Sequence, residues 1–252
     1  MIARSDLSGV VRMEWRKLRT VRSTWWILLV FVAGMVGVSM LDAASGPSQA
    51  APSYDPTQNA FGGLGIAQLA IGVLGVLIVS SEFTSGSIRS TFAAVPRRGR
   101  VLAAKTVVLA AVTLMAGEAL AFAAFAAFQI AAKQGTGSSL GQPGVLRAVL
   151  LGGAYPCLIG LIGLGLAAVI RHTAGAISAL VGVVFVLPLV LSPFGSHGAA
   201  MKFLPWIIAL NSLTAVKPVA GMLSAGAGLA VLCLYAAAAL AAGGWALLRR
   251  DA

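Results

Sequence analysis

The chain has 252 residues, of which 59% are hydrophobic and only 10% are charged. Soluble globular proteins carry about 25% charged residues, so this composition excludes a soluble domain and predicts an integral membrane protein. Its net charge of +11 lies in short segments between apolar runs, which indicates orientation signals and contacts with anionic lipid headgroups and excludes nucleic-acid binding.

The first segment, residues 1–23, is predicted to form an amphipathic helix that lies in the membrane interface. Four apolar residues recur on one side of it at helical spacing: Leu7, Val11, Trp15 and Leu18. Arginines occupy another side, and the tryptophan ring suits the depth of the lipid headgroups. A disordered basic tail is the alternative, and the regular spacing disfavours it.

Six charge-poor runs follow, each long enough to cross a bilayer, which takes about 20 residues. They are predicted at 24–41, 61–80, 106–131, 148–170, 174–192 and 225–247, within a transmembrane domain over 24–248 and before a tail at 249–252. The predicted fold is therefore all-α, with six transmembrane helices behind an interfacial helix. The fourth run contains five glycines, which predict close helix packing: Gly152, Gly153, Gly160, Gly163 and Gly165.

The distribution of cations predicts the orientation. With both termini in the cytoplasm, 14 of the 18 Lys and Arg residues lie on the cytoplasmic side and four lie outside. Residues 42–60 contain no Lys or Arg and are predicted to form a polar, irregular external loop. Residues 201–217 contain an apolar stretch that is too short to cross, which predicts an external re-entrant or interfacial segment.

Residues 81–105 form the one long polar, basic interval between two apolar runs. Within it, Ile88, Phe92 and Val95 recur at the spacing of a short helix with one apolar side, and Pro96 is expected to end that helix. Such a helix at a membrane surface is suited to receive a push from a soluble partner. An equally open reading is that its arginines are only topology signals.

These segments also carry a family resemblance. The motifs are Glu82-Phe83, Gly86-Ser87-Ile88-Arg89, Pro96-Arg97-Arg98 and Lys105, together with Glu14-Trp15-Arg16-Lys17-Leu18-Arg19 before the first run. They resemble the first cytoplasmic loop and the N-terminal helix of ABC-type 2 exporter permeases, particularly the small actinobacterial ones. The motifs are short, and the resemblance covers essentially the whole chain.

The resemblance implies a multi-pass permease of a bacterial plasma membrane, in which residues 81–105 dock on a separate ABC ATPase subunit. It also implies a second permease subunit, identical or paralogous, and a substrate pathway at their interface near the second and fifth spans. ATP would be bound by the ATPase, so this chain is expected to be no enzyme and to hold no cofactor or metal. Its expected docking anchors are Ile88, Phe92 and Val95, with Phe92 the most important.

No nucleotide site is predicted in this chain itself. Residues 99–106 come within one residue of a phosphate-binding P-loop, but Ala104 stands at the second glycine position and no strand can precede the segment. Two other classes stay open on the residues alone: an ATP-independent secondary transporter or channel, and a non-transporting membrane sensor or anchor subunit.

Glu118 is the one charged residue inside the predicted spans. Charged groups within a membrane are candidates for function, and the cost of placing one at the centre of a span is about 2.5–3.5 kcal/mol on insertion scales. A structural role, in which Glu118 fixes its helix to a neighbour, is favoured over substrate or proton handling because the spans offer no partner charge.

Overall fold

The computed structural model describes residues 7–45, 54–95, 97–132, 137–191, 200–215 and 221–249, and all regular elements in this part of the chain are helical. An N-terminal helix, Leu7–Thr20, precedes six helices that are long and apolar enough to span a membrane. Spans 1 to 6 are Arg22–Ala44, Leu64–Thr84, Arg98–Ala131, Val145–Ile170, Thr173–Leu191 and Ala225–Arg249. The all-α fold with six spanning helices is thereby confirmed.

Shorter helices connect the spans. They are Pro56–Asn59, the loop helix Ile88–Ala94, a 3₁₀ turn at Met201–Phe203, and Pro205–Ser212. Single π-helical turns interrupt span 1 at Ala33–Gly37 and span 5 at Gly182–Val186.

Span 3 differs most from its predicted bounds, because it begins at Arg98 rather than at residue 106. Its 34 residues give a helix about 51 Å long at the usual rise per residue. The hydrocarbon core of a bilayer is only about 30 Å thick, so part of span 3 extends beyond it. The basic segment that the sequence assigned to a loop thus includes the first two turns of this helix.

Span 4 lies at the centre of the bundle and packs against spans 2, 3 and 6. The glycine pattern explains this position, since a Cβ at Gly163 would meet the backbone of span 2, one at Gly153 the backbone of span 3, and one at Gly165 that of span 6. Close backbone approach of this kind requires glycine and brings main chains into van der Waals contact. The close packing predicted from the glycines is confirmed.

The N-terminal helix packs on span 3, and its buried residues are Val10, Glu14 and Leu18, at i, i+4 and i+8. Leu7 and Trp15, which the sequence placed on the same apolar side as Leu18, are exposed instead. The helix therefore has two differently directed surfaces, one with Val10, Glu14 and Leu18 against the protein and one with an exposed tryptophan.

At the opposite end of the bundle, Asp55 joins two connections. Its carboxylate accepts hydrogen bonds from the backbone N–H groups of Thr57 at 2.9 Å and of Ala215 at 2.7 Å. The segment predicted as re-entrant over 201–217 is described to residue 215. It consists of the 3₁₀ turn and the helix Pro205–Ser212, which packs on spans 4 and 6.

Candidate functional site

Four charged side chains meet at the end of the bundle where the N-terminal helix lies. Glu14 and Lys17 come from that helix, Glu82 from the last turn of span 2, and Lys105 from the third turn of span 3. We call these four residues the charge network. They stand at positions fixed by three different helices, so their meeting is a property of the tertiary fold.

Lys105 is the centre of the charge network. Its Nζ donates hydrogen bonds to Glu14 Oε2 and to Glu82 Oε1, each at 2.7 Å, and to the carbonyl of Ile78 at 3.3 Å. Its side chain is only 3% exposed, and that of Glu14 is 4% exposed. An ammonium has three donors, so Lys105 is fully hydrogen-bonded by these partners.

Lys17 extends the network to the loop helix. Its Nζ donates to Glu82 Oε1 at 2.8 Å, to Glu14 Oε1 at 3.3 Å and to Thr91 Oγ1 at 3.3 Å. The hydroxyl of Thr91 in turn donates to Glu82 Oε2 at 3.2 Å. The loop helix is thus joined to the N-terminal helix and to spans 2 and 3 by one continuous set of hydrogen bonds.

The charges of the network cancel, with two carboxylates and two ammonium groups. Burial lowers the pKa of Lys17, whereas hydrogen bonding and attraction from Glu82 and Glu14 raise it, and the net result is a pKa above its ordinary value. Buried ions are costly to desolvate, and removing one member of such a set leaves an uncompensated charge. The network is therefore an all-or-none arrangement that holds its helices in one geometry.

The loop helix does not present the apolar surface that the sequence predicted for docking. Ile88 and Val95 are 5% and 4% exposed, and Phe92 is partly buried against the core. Val95 packs with Val10 and Val101 in a small apolar cluster between the loop, the N-terminal helix and span 3. Ile88 and Val95 thus attach the loop helix to its own chain, whereas docking of a partner on the partly buried Phe92 stays a prediction.

The exposed side of this segment is polar and basic instead. It comprises Thr84, Ser85, Gly86, Ser87, Arg89, Ser90, Ala93, Ala94 and Arg97. Gly86 forms the turn between span 2 and the loop helix with a φ of 73°, in the left-handed region that glycine adopts most readily. Pro96, which was expected to end the loop helix, lies outside the described residues, but the helix does end at Ala94.

Two arginines of this end hold the last turn of span 6. Arg98 donates to the carbonyl of Leu247 at 2.9 Å, and Arg171 donates to the carbonyl of Ala246 at 3.0 Å. Their guanidinium groups also lie over the rings of Phe92 at 5.3 Å and Phe83 at 5.1 Å. Phe83 is partly buried against the core.

Glu118 lies away from the charge network, on span 3 beside span 4. Its backbone and carboxyl group are so close to Gly153 that a Cβ there would collide with both. Its Oε2 is buried and has no hydrogen-bond partner among the described residues. Within the part of the chain that the structure describes, Glu118 forms no salt bridge, and its role as a helix-locking residue stays a prediction.

Sequence reasoning missed Lys105 as the residue that joins Glu14 and Glu82. Glu14 was noticed only through the resemblance, although it stands at i+4 from Val10 and four residues before Leu18. A carboxylate centred on an apolar helix side needs a buried partner. That signal could have indicated a cation from a distant segment, but not which one.

The family model described as "ABC-2 family transporter protein" matches residues 9–252, which include all four residues of the charge network. Among curated proteins, no sequence matches the chain.

Proposed function

We propose that this chain, which belongs to the ABC-2 family of transporter proteins, is the membrane permease subunit of an exporter that a separate ATPase drives. ABC-2 permeases are the membrane components of their transporters and generally work with an ABC ATPase. The proposal adds the direction of transport, the docking segment and the route by which force reaches the spans.

The charge network is the observation that carries the proposal. A displacement of the loop helix acts on Thr91, whose hydroxyl bonds with both Lys17 and Glu82. Glu82 ends span 2 and shares Lys105 of span 3 with Glu14. Buried side chains in such a set cannot separate without leaving unpaired charges. We therefore expect the loop helix and the N-terminal helix to move together with the ends of spans 2 and 3.

The ATPase docks on the exposed side of residues 84–97. This surface carries Arg89 and Arg97 around the small residues Ala93 and Ala94. Small side chains allow a partner to approach the helix closely, and the two guanidinium groups favour an acidic groove. The apolar side of the loop helix, with Ile88, Phe92 and Val95, is its mechanical attachment, so the docking and transmitting sides of this helix are opposite each other.

This end of the bundle faces the cytoplasm, where ATP is available. The N-terminal helix, the loop helix and Arg171 lie here, which agrees with the 14 cations that the topology assigns to the cytoplasmic side.

Exposed apolar residues line spans 1 and 5, including Trp26 and Leu189. They face lipid or the second permease subunit, with which the chain forms the substrate pathway.

The test compares two charge reversals at the same end of the bundle. Arg89→Glu changes the proposed docking surface, whereas Arg12→Glu changes a cation of the N-terminal helix that is also exposed. Each variant is purified from native membranes and the ATPase that accompanies the unaltered chain is quantified. Arg89→Glu should lower the recovered ATPase about tenfold or more through like-charge repulsion, with unchanged insertion and melting temperature, and Arg12→Glu should not.

Ala93→Trp provides a second, uncharged perturbation of the same surface and should have the same effect as Arg89→Glu. If both variants recover as much ATPase as the unaltered chain, docking at this surface is refuted. If no ATPase accompanies the unaltered chain, the coupling itself is refuted.

A further inference from the structure

A cavity of about 460 Å³ opens beside the charge network. It lies among the N-terminal helix, the first turn of span 1, the last turns of span 2 and the start of span 3. Pockets of 300–1,000 Å³ are typical of small-molecule sites, so this cavity is large enough for a ligand. It adjoins the docking surface on the exposed side of the loop helix, with which it shares Ser85, Ser87 and Ser90.

The cavity is polar at one end and apolar at the other. Glu82, Ser85 and Thr91 are at the polar end, whereas Leu74 and Val108 are at the apolar end. On span 2 the distance from Glu82 to Leu74 is eight residues, or about 12 Å along the helix. One leaflet of a bilayer contributes about 15 Å of hydrocarbon, so the length of the cavity matches the distance from headgroup depth into the acyl region.

The lysines of the cavity have no donors to offer. Lys105 makes three hydrogen bonds, to Glu14, Glu82 and the carbonyl of Ile78. Lys17 also makes three, to Glu14, Glu82 and Thr91. Since an ammonium has three N–H groups, neither cation has one left for a ligand.

Three serine hydroxyl groups of the lining donate their protons to backbone carbonyls. Ser81 donates to the carbonyl of Leu77, Ser85 donates to that of Ser81 at 2.8 Å, and Ser90 donates to that of Ser87 at 2.7 Å. A hydroxyl that donates its one proton to a carbonyl keeps acceptor lone pairs. The carboxylates of Glu14 and Glu82 also keep lone pairs, since they accept two and three of the hydrogen bonds described above.

We propose that this cavity binds an amphipathic molecule whose head carries hydrogen-bond donors, such as a primary ammonium, and whose chain follows spans 1 and 2. The polar end of the cavity presents hydrogen-bond acceptors, so it can bind a ligand that carries hydrogen-bond donors. An ammonium placed there would gain charge-assisted bonds with carboxylate oxygens, whereas a phosphate or carboxylate would meet two carboxylates and two lysines whose N–H groups are already used. The inference requires the membrane setting but not the ATPase.

Phosphatidylethanolamine and phosphatidylcholine of identical acyl chains form the matched pair of probes. They differ in the ammonium, which has three N–H donors in the first lipid and none in the second. Lipid bound to the purified full chain is measured by native mass spectrometry. Phosphatidylethanolamine should be retained about tenfold more than phosphatidylcholine, the ratio expected for one charge-assisted hydrogen bond.

Two hydroxyl residues provide matched variants. Ser81 and Thr106 both donate to the carbonyl four residues earlier, but only Ser81 lines the cavity. Ser81→Trp fills the cavity and should abolish the preference for phosphatidylethanolamine, and Ser81→Ala should reduce it by removing one acceptor. Thr106→Trp and Thr106→Ala should leave the tenfold preference unchanged.

Equal retention of the two lipids by the unaltered chain would overturn the proposal. So would a full preference in Ser81→Trp or, if that variant does not fold, in Ser81→Ala. The complex with the ATPase then distinguishes two sources of the same head chemistry. A lipid released on ATP turnover is cargo, and one retained through turnover is a resident lipid; either result supports the site.

Discussion

Replacing Lys105 with methionine removes the central cation of the charge network and keeps a side chain of similar length. The change leaves Glu14 and Glu82, both buried, with Lys17 as their only cation, and Lys17 is 39% exposed. Removing one partner of a buried ion pair costs about 3–5 kcal/mol. At about 2–4 °C per kcal/mol for soluble domains of 150–250 residues, the melting temperature of Lys105→Met should fall by about 6–20 °C.

A second substitution tests whether uncompensated charge is the cause. Adding Glu14→Gln to Lys105→Met leaves Lys17 opposite Glu82 and restores a neutral set. The double variant should be more stable than Lys105→Met alone, with an interaction energy of about 1–3 kcal/mol. The exposed cation Arg89 provides the control, since Arg89→Met should change stability by less than about 0.5 kcal/mol.

Thermal unfolding of the purified chain in lipid nanodiscs, followed by the fluorescence of its 5 tryptophans, measures all three variants. The reasoning fails if Lys105→Met has the same melting temperature as the unaltered chain. It also fails if Glu14→Gln lowers the melting temperature of Lys105→Met still further, because the helices would then be joined by packing rather than by balanced charge.

Two further predictions use the same assay. Gly75→Ala places a methyl group against the carbonyl of Gly160 between spans 2 and 4, and should lower the stability of the fold by about 1–3 kcal/mol. Gly226→Ala, at an open position of span 6, should not destabilise the fold. Equal effects of the two substitutions would contradict the packing argument. Because the pKa of Lys17 is raised above 10.5, its contribution is complete below that pH and is lost as the pH rises through the higher folded-state value. The difference in melting temperature between the unaltered chain and Lys17→Met should therefore stay constant from about pH 7 to 10 and shrink only above 10.5, and a difference that has vanished by about pH 9 would contradict this assignment.

The six spans could be predicted because each depends on a local property, an apolar run of sufficient length. The packing of span 4 was also predictable, since its glycines permit close approach whichever helix is the neighbour. The start of span 3 was harder to predict. Its first turns, from Arg98, are basic and resemble a loop in composition, yet they form helix that packs against Val10 of the N-terminal helix.

Which way the apolar side of the loop helix faces could not be predicted from its sequence. The spacing of Ile88, Phe92 and Val95 establishes that one side is apolar, but a partner groove and the chain's own core would select the same pattern. Tertiary contacts decide between them. The charge network was still harder to predict, since Glu14 and Lys105 are 91 positions apart and no local sequence pattern relates them.

Two of the cations from which the topology was predicted also have structural partners, and this limits how they can be interpreted. Arg98 and Arg171 contribute to the excess of positive charge at one end of the bundle, yet each also donates to a carbonyl in the last turn of span 6. The C-terminal end of a helix has unsatisfied carbonyls and a negative dipole, so a cation there stabilises the fold as well as the orientation. Removing either arginine would change both properties at once. Exposed cations such as Arg97 separate them, because their charge can be altered while span 6 keeps its bonds.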